Sequence, residues 1–287
     1  MLAMNKILVP VDFSEAGAGA VHHAAALARH FHSEMLLVHV QTPVHYTAGG
    51  MDGAYLGPAP EVLAEQERKE LELFLAEEIE DLPVRRVLLE GDAARRIVQF
   101  AEAEKVDLIV MPTHGYGFFR RFILGSVTAK VLHDVACPVW TGMHLKDAPA
   151  ADPLHIRSVL CAVDLSPHSR RTLCWAAQAA AEFGARLTVV HATASLDMSG
   201  LGGRYFAPEW RDVLITHAKD GIAKLQQDLG TQAEVFIESG AVPEVVRMAA
   251  EEASADLLVI GRSPAGGRLR TNAYALIRES PCPVASV

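Results

Sequence analysis

Short apolar runs alternate with longer stretches of helical character along this chain. Residues 7–11 form a continuous apolar run that contains β-branched residues, which is typical of a strand buried on both faces. The alanine-rich stretch 15–31 follows, with Ser14 at the N-cap position of a helix. Residues 61–80 carry Leu63, Leu71, Phe74 and Leu75 on one side and charge on the other. The predicted elements are strands at 7–11, 35–40, 84–89, 107–111 and 139–141, helices at 15–31, 61–80, after Asp92 to about 105, and 126–135, and loops at 42–60 and 112–124.

The second half of the chain repeats the first. KILVPVDFS at 6–14 and SVLCAVDLS at 158–166 lie 152 positions apart, as do SEMLLVHV at 33–40 and ARLTVVHA at 185–192. VDLIVM at 106–111 precedes ADLLVI by 149 positions, and CPV at 137–139 precedes a second CPV by 145. Four matching blocks in the same order indicate a duplication whose second copy has shorter loops. We predict two domains, residues 1–145 and 155–287, with a linker rich in Ala, Asp and Pro between them.

Strands that alternate with helices predict an α/β fold, here two tandem doubly wound domains, each built on a parallel sheet. Ligands of such sheets bind at the carboxyl ends of the strands, where the strand order reverses. Asp12 follows the first predicted strand and residues 112–126 follow the fourth, so we expect both at that edge.

Charge and composition argue against several classes of function. The formal net charge of −9 argues against broad binding of nucleic acid or of an anionic membrane, which needs clustered Lys and Arg. No segment approaches the ~20 continuous apolar residues of a membrane span. The four cysteines lack metal-ligand spacing, so we expect reduced thiols and a cytoplasmic location. His22, His23, His30 and His32 are interpreted as solvated polar residues, and we expect no metal site.

The loop after the fourth strand has the composition of an anion-binding loop. Gly115 and Gly117 let backbone N–H groups turn toward an anion, and Gly125 and Ser126 open the next predicted helix, whose N-terminus adds donors and a favourable dipole. Ser126 is expected to act as the N-cap, as a ligand, or as both. The P-loop and dinucleotide-binding patterns are absent. Simpler roles stay open, with the glycines as turn residues and Asp12 as a helix cap.

In these segments the chain resembles the universal stress proteins, in tandem form. The resemblance covers nearly the whole length and rests on VDFS at 11–14, HV at 39–40, MPTHG at 111–115, LGSVT at 124–128 and CPV at 137–139. ATP-binding members of that family carry the pattern G-x2-G-x9-G-S/T. Gly115, nine further residues, Gly125 and Ser126 fit its spacing, whereas Pro112 replaces the first glycine.

The resemblance implies a Rossmann-like fold, of the adenine-nucleotide α-hydrolase-like kind, with ATP or ADP in the first domain and Mg²⁺ as an optional bridge between phosphates. It places Asp12 and Val40 beside the adenosine and the glycine loop beside the phosphates. It also implies an internal pseudo-dimer through the terminal strands 139–141 and 284–286, and leaves a further homodimer open. The implied nucleotide-binding residues are Pro10, Val11, Asp12, Val40, Met111, Pro112, His114, Gly115, Gly125, Ser126, Val127 and Thr128.

The second copy departs further from the family pattern. Pro264 stands at the second glycine, and Arg270 and Thr271 replace the Gly-Ser pair. We therefore expect the second domain to serve as a packing partner that does not bind ATP in the family manner.

Three functions are carried forward from the sequence. The first is a nucleotide-binding regulatory protein of the stress response. The second is a protein-interaction module of the same fold that needs no nucleotide, and the third is a slow ATPase or phosphotransferase. The third ranks last, because no nucleophile and base stand in a recognisable order.

Overall fold

The computed structural model describes residues 2–42, 60–114, 124–142, 145, 154–194, 208–262 and 271–287. In the first half of the chain, strands and helices alternate as predicted from the hydrophobic pattern. The elements are β1 (Lys6–Pro10), α1 (Glu15–Phe31), β2 (Glu34–Gln41), α2 (Pro60–Leu73), a 3₁₀ turn (Glu77–Ile79), β3 (Val84–Glu90), α3 (Ala93–Glu104), β4 (Leu108–Val110), α4 (Ser126–Asp134) and β5 (Val139–Thr141).

The second half repeats this order. Its elements are β6 (Ser158–Ala162), α5 (Ser169–Phe183), β7 (Arg186–Thr193), α6 (Pro208–Leu229), β8 (Glu234–Ser239), α7 (Val242–Glu252), β9 (Leu257–Ile260), α8 (Thr271–Glu279) and β10 (Val284–Ser286).

Most of the predicted boundaries agree with the structure, but the predicted end of one helix is wrong. The helix at 15–31 and the strand at 139–141 are confirmed at both ends. The helix predicted over 61–80 ends at Leu73, because Leu75 adopts a left-handed conformation with φ of 51° and the chain continues as the 3₁₀ turn. Most of the predicted loop 42–60, and residues 115–123 of the glycine loop, lie outside the described residues.

The ten strands of the described ranges form one sheet in the order β3-β2-β1-β4-β5-β10-β9-β6-β7-β8. Every pairing within either half is parallel, which confirms the predicted doubly wound α/β class. The two halves join through β5 and β10, which pair antiparallel with Trp140 opposite Ala285. This pairing confirms the internal pseudo-dimer and covers one edge of each half-sheet, which would otherwise expose unpaired backbone groups.

The joint has approximate two-fold symmetry, because equivalent positions of the two copies meet each other. Trp140 and Ala285 are counterparts in the repeat and face each other in the β5–β10 ladder. Phe31 and Phe183 are counterparts as well, and their rings pack edge to face with centroids 5.8 Å apart. Self-pairing of this kind is the property of an isologous interface.

Helices cover both faces of the sheet and enclose a core on each side. Alanines of α1 that are fully buried (Ala20, Ala24, Ala25 and Ala28) let this helix lie close to the strands. Among the described helices, none combines the length and the apolar character that a membrane crossing requires.

The histidines of α1 differ from the expectation of four solvated residues. The Nε2 atom of His23 is buried and has no hydrogen-bond partner within the described part of the chain. Its ring lies 5.4 Å from that of the fully buried Trp140, centroid to centroid. Burial lowers the pKa of His23 to about 4, so the ring is neutral at physiological pH.

Candidate functional site

A cavity of about 340 Å³ opens in the first domain beside the ends of β1, β2 and β4. The strand order reverses between β1 and β4, so the cavity lies where doubly wound sheets bind ligands. Its volume falls within the range of roughly 300–1,000 Å³ that small-molecule sites occupy. The residues predicted from the sequence that line it are Pro10, Val11, Asp12, Val40, Met111, Pro112, His114, Gly125, Ser126, Val127 and Thr128. The remaining predicted residue, Gly115, lies outside the described residues.

Asp12 is held at the mouth of the cavity by the start of α1. Its Oδ1 accepts hydrogen bonds from the backbone N–H of Ser14, at 3.1 Å, and from the Ser14 hydroxyl. Ser14 in turn caps α1 by accepting from Gly17 N at 3.1 Å. The cap therefore belongs to Ser14, and Asp12 positions it.

Glycine at position 17 keeps space beside the Asp12 carboxylate. A Cβ at Gly17 would lie 3.0 Å from Asp12 Oδ1. The counterpart of Gly17 in the second domain is Ser169, whose hydroxyl donates to Asp164 Oδ1 at 3.0 Å. Each aspartate thus accepts a hydroxyl on its Oδ1 atom, from Ser14 in the first domain and from Ser169 in the second.

Sequence reasoning missed His39, which lines the same cavity. Its Nδ1–H donates to the carbonyl oxygen of Val11 at 2.8 Å, and its ring packs on Phe13 with centroids 4.5 Å apart. Its Nε2 lies 3.8 Å from a carboxylate oxygen of Glu67 on α2. The repetition of this histidine as His191 was the signal that could have identified it. Further lining residues that were not predicted are Val38, Ala93, Ile97 and Leu124.

The opposite wall of the cavity is the N-terminus of α4. Gly125 is the N-cap residue and Ser126 the first helical residue, so the helix begins where predicted and the N-cap alternative for Ser126 is excluded. No side chain of the described residues caps this helix, because a glycine N-cap carries no side-chain acceptor. Free backbone donors and the positive end of the helix dipole therefore stand at the cavity.

Position 125 favours glycine because the backbone of Thr113 lies close to it. Its N–H donates to Thr113 O at 2.8 Å, and a Cβ at this position would lie 3.2 Å from the same oxygen. Thr128 adds a second bond between the helix and the strand end, since its hydroxyl donates to Pro112 O at 3.0 Å. These two bonds fix the start of α4 against the end of β4.

Pro112 contributes its carbonyl to that arrangement and leaves the cavity open. Its counterpart in the repeat is Gly261, where a Cβ would lie only 2.6 Å from the hydroxyl of Thr172. The counterpart of Thr172 in the first domain is Ala20, whose methyl group is smaller and carries no polar atom. The bulkier proline is thus matched by a smaller residue at the paired position.

The N-terminus of α3 also borders the cavity, through Ala93. Asp92 caps this helix by accepting from Arg95 N at 2.9 Å, as predicted, and receives Lys130 Nζ of α4 at 3.1 Å. These backbone and lysine contacts lower the pKa of Asp92. The ion pair links α3 and α4, whose N-termini both border the cavity. Within the described ranges, no group of three or more potential metal ligands is found.

The second domain has a cavity at the equivalent place, of about 220 Å³. Asp164, His191 and Arg262 line it, whereas residues 263–270, which include Pro264 and Arg270, lie outside the described residues. Its α5 starts at Ser169 without a side-chain cap, since Ser166 Oγ is buried and unbonded among the described residues. The second domain thus keeps counterparts of Asp12 and His39 at the lining of a smaller cavity.

The sequence and the fold were compared with those of known proteins. A family model described as "Universal stress protein family" matches residues 4–141 and 155–287. A universal stress protein of Methanocaldococcus jannaschii is 34% identical over 137 residues, covering 47% of this chain and 79% of the relative. One of Thermus aquaticus is 35% identical over 137 residues, covering 46% of this chain and 94% of the relative. The crystal structure of a universal stress protein from Archaeoglobus fulgidus shares the fold at a TM-score of 0.70 and 22% identity, with 99% of this chain and 98% of that one covered.

Proposed function

Because the chain belongs to the universal stress protein family, we propose that its first domain binds an adenine nucleotide, ATP or ADP, and acts as a nucleotide-dependent regulatory protein. One observation carries the proposal. The first-domain cavity combines a pocket at the strand switch point with an uncapped helix N-terminus, which is the arrangement that binds phosphates without dedicated cations.

The adenosine half would lie between the ends of β1 and β2. Val38 and Val40 supply apolar surface there, and Asp12 supplies a carboxylate that can accept hydrogen bonds from ribose hydroxyls. Asp12 lines the cavity while the backbone N–H and hydroxyl of Ser14 fix its Oδ1 atom, which supports this placement.

The phosphates would lie at the start of α4. Backbone N–H groups of its first turn, the hydroxyl of Ser126 and the dipole of the helix all favour an anion at this wall. A divalent cation such as Mg²⁺ would neutralise phosphate charge when bound, with the phosphates as its main ligands.

We propose binding without efficient turnover. Among the described lining residues, His114 approaches a hydroxyl, since its Nδ1 lies 2.9 Å from Thr113 Oγ1. Thr113 is only 4% exposed, so its hydroxyl cannot reach a substrate in the cavity.

The four free cysteines accord with a reducing compartment, and we propose that the protein is located in the cytoplasm.

Substitution of Ser126 separates phosphate binding from helix stability. Ser126 is exposed in the first turn of α4, where an added carboxylate stabilises a helix by roughly 0.3–1 kcal/mol but repels a phosphate. We expect Ser126→Asp to lower the affinity for ATP about tenfold or more, which is about 1.4 kcal/mol, while adenosine affinity is kept and the unfolding midpoint stays equal or rises slightly. Ser126→Asn is the neutral control.

Two measurements decide between the proposal and its alternative. Mass analysis of small molecules released from denatured protein identifies a retained nucleotide, and calorimetric titration gives the affinities. Wild-type protein that releases no nucleotide and binds none at millimolar ATP would instead be an interaction module of this fold. Equal ATP affinity in wild type and Ser126→Asp would place the phosphates elsewhere.

A further inference from the structure

Arg262 follows β9 in the second domain, yet its side chain bonds to the first domain. Nη1 donates to the carbonyl oxygens of Leu132 at 2.9 Å and Val135 at 3.0 Å, and Nη2 donates to Cys137 O at 2.5 Å. These carbonyls belong to the last turn of α4 and to the turn that leads into β5. One side chain of the second domain thus holds the C-terminal end of the helix whose N-terminus lines the first-domain cavity.

The bonds fit the chemistry of a helix end. The last carbonyl groups of a helix have no intrahelical partner, and a cation beside them is favoured by the helix dipole. Burial lowers the pKa of Arg262 to about 10, so the guanidinium remains charged at neutral pH. Arg262 therefore supplies both the donors and the charge that this helix end lacks.

The arginine is held by the sheet. Its backbone N–H donates to Val287 O at 2.8 Å, and Val287 N donates to Ile260 O at 3.0 Å. These bonds continue the β9–β10 ladder to the last residue of the chain. The bonds to α4 consequently start from a fixed point of the second domain.

The contact has no reciprocal partner in the first domain. The repeat places Thr113 at the position of Arg262, and this short side chain contacts the neighbouring His114. The pseudo-symmetry of the joint is therefore broken, and support runs from the second domain to the first.

We propose that Arg262 is a positioning residue for the first-domain site, holding α4 so that its N-terminal amides face the phosphates. The inference rests on the proposed nucleotide function and deepens it. In this proposal, the second domain supports the binding site of the first domain. A helix of nine residues is about 14 Å long and rigid, so a shift at one end displaces the other. Displacements of about 1 Å are enough to weaken a site built on oriented donors.

Three variants in the full-length protein test this inference. Arg262→Met keeps the aliphatic bulk and removes the donors and the charge, and Arg262→Lys restores the charge with fewer donors. Arg171→Met is the matched control, because Arg171 also crosses the joint and donates to Ala136 O of the same turn at 3.2 Å. Hydrogen exchange of α4 amides is measured without ligand, and affinities are measured for ATP and for adenosine.

We expect Arg262→Met to speed exchange along α4 and to weaken ATP binding about tenfold, with adenosine affinity changed less than about twofold. Arg262→Lys should lie between Arg262→Met and wild type, and Arg171→Met should resemble wild type. The ratio of ATP to adenosine affinity identifies positioning, because a general loss of stability would weaken both ligands alike.

The outcomes separate this inference from the function on which it rests. Unchanged exchange along α4 in Arg262→Met, or equal losses of ATP and adenosine affinity, would overturn the positioning role. Wild-type protein that binds no ATP would overturn the proposed function. Faster α4 exchange in Arg262→Met would then still support the conclusion that Arg262 holds the C-terminal end of α4. Arg262→Lys keeps the test open if Arg262→Met does not fold.

Discussion

His39 donates a hydrogen bond from Nδ1 to the carbonyl oxygen of Val11 at 2.8 Å, and this bond ties the end of β2 to the segment after β1. The second domain repeats it, with His191 Nδ1 lying 2.8 Å from Val163 O. The backbone bonds Val11 N to Val38 O and Val163 N to Val190 O accompany the two side-chain bonds. The duplicated pair shows that the β1–β2 side of the first cavity and the β6–β7 side of the second are built in the same way.

Loss of the His39 bond should affect both stability and binding. Val11 is only 5% exposed, so His39→Leu leaves a buried carbonyl unpaired, at a cost of about 1–3 kcal/mol in the free energy of unfolding. We expect the same change to weaken nucleotide binding, and His39→Asn to restore part of both, since its amide can donate from a similar place. His191→Leu removes the equivalent bond of the second domain. If it weakens ATP binding as much as His39→Leu does, the effect is one of stability alone.

A side chain at position 125 should displace the start of α4. In Gly125→Ala the added Cβ lies 3.2 Å from Thr113 O, a backbone atom that cannot rotate away. We expect ATP affinity to fall by about tenfold and the unfolding midpoint to fall slightly. Gly240→Ala is the control, because its Cβ would crowd Val245 at 3.0 Å in the second domain. Equal ATP affinities in the two variants would contradict a role for the Gly125 backbone.

The buried His23 should make the protein sensitive to mild acid. Its pKa is about 4 in the folded protein and 6.5 as a model value, so the unfolded chain binds the proton more tightly. Stability is then complete above pH 6.5 and is lost as the pH falls from 6.5 toward 4, by roughly 3 kcal/mol in total. Urea unfolding between pH 7.5 and 4.5 measures this slope.

Replacement of His23 tests the origin of that slope. His23→Leu should flatten the decline of stability between pH 6.5 and 4.5. Leu27→Val, which loses one buried methylene of the same helix, should lower stability at every pH and keep the wild-type slope. An unchanged slope in His23→Leu would assign the acid sensitivity to other groups.

The two phenylalanines at the pseudo-symmetry axis should be energetically coupled. Phe31 and Phe183 pack edge to face, and aromatic pairs of this kind contribute about 0.5–1.5 kcal/mol beyond area burial. A double-mutant cycle with Phe31→Ala and Phe183→Ala, followed by urea unfolding, should give a coupling energy in that range. Strict additivity of the two losses would mean that α1 and α5 do not meet there in solution.

Local patterns in the sequence were sufficient for most of the fold. The apolar run before Asp12, the alanine-rich helix and the repeat predicted the α/β class, and the family resemblance implied the pairing through β5 and β10. The pattern failed at Leu75, because Leu71 and Ile79 are both buried and suggest one helix, while the backbone turns between them. Apolar spacing reports which side chains are buried and does not report each φ angle.

The candidate site also combines features that the sequence predicted with features that only the structure shows. Strand ends and glycines pointed to Asp12 and to residues 112–126, the family resemblance implied the full set, and the described members of that set line one cavity. His39 was quoted only as part of a matching motif, because the sequence does not show that its ring bonds to Val11 and lines the cavity. The N-cap of α4 stayed open in the sequence because either Gly125 or Ser126 satisfies the local preference, and close backbone contact with Thr113 decides between them.

By itself the sequence determined a duplicated α/β chain, its family resemblance, and the strand ends where a ligand would bind, because hydrophobic period and repeats are encoded locally. Only the tertiary structure decided that His23 is buried against Trp140 and that Arg262 crosses to α4. Both features join residues more than 100 positions apart, and contacts at that separation are set by how α1 packs on the sheet for His23 and by how the two half-sheets join for Arg262.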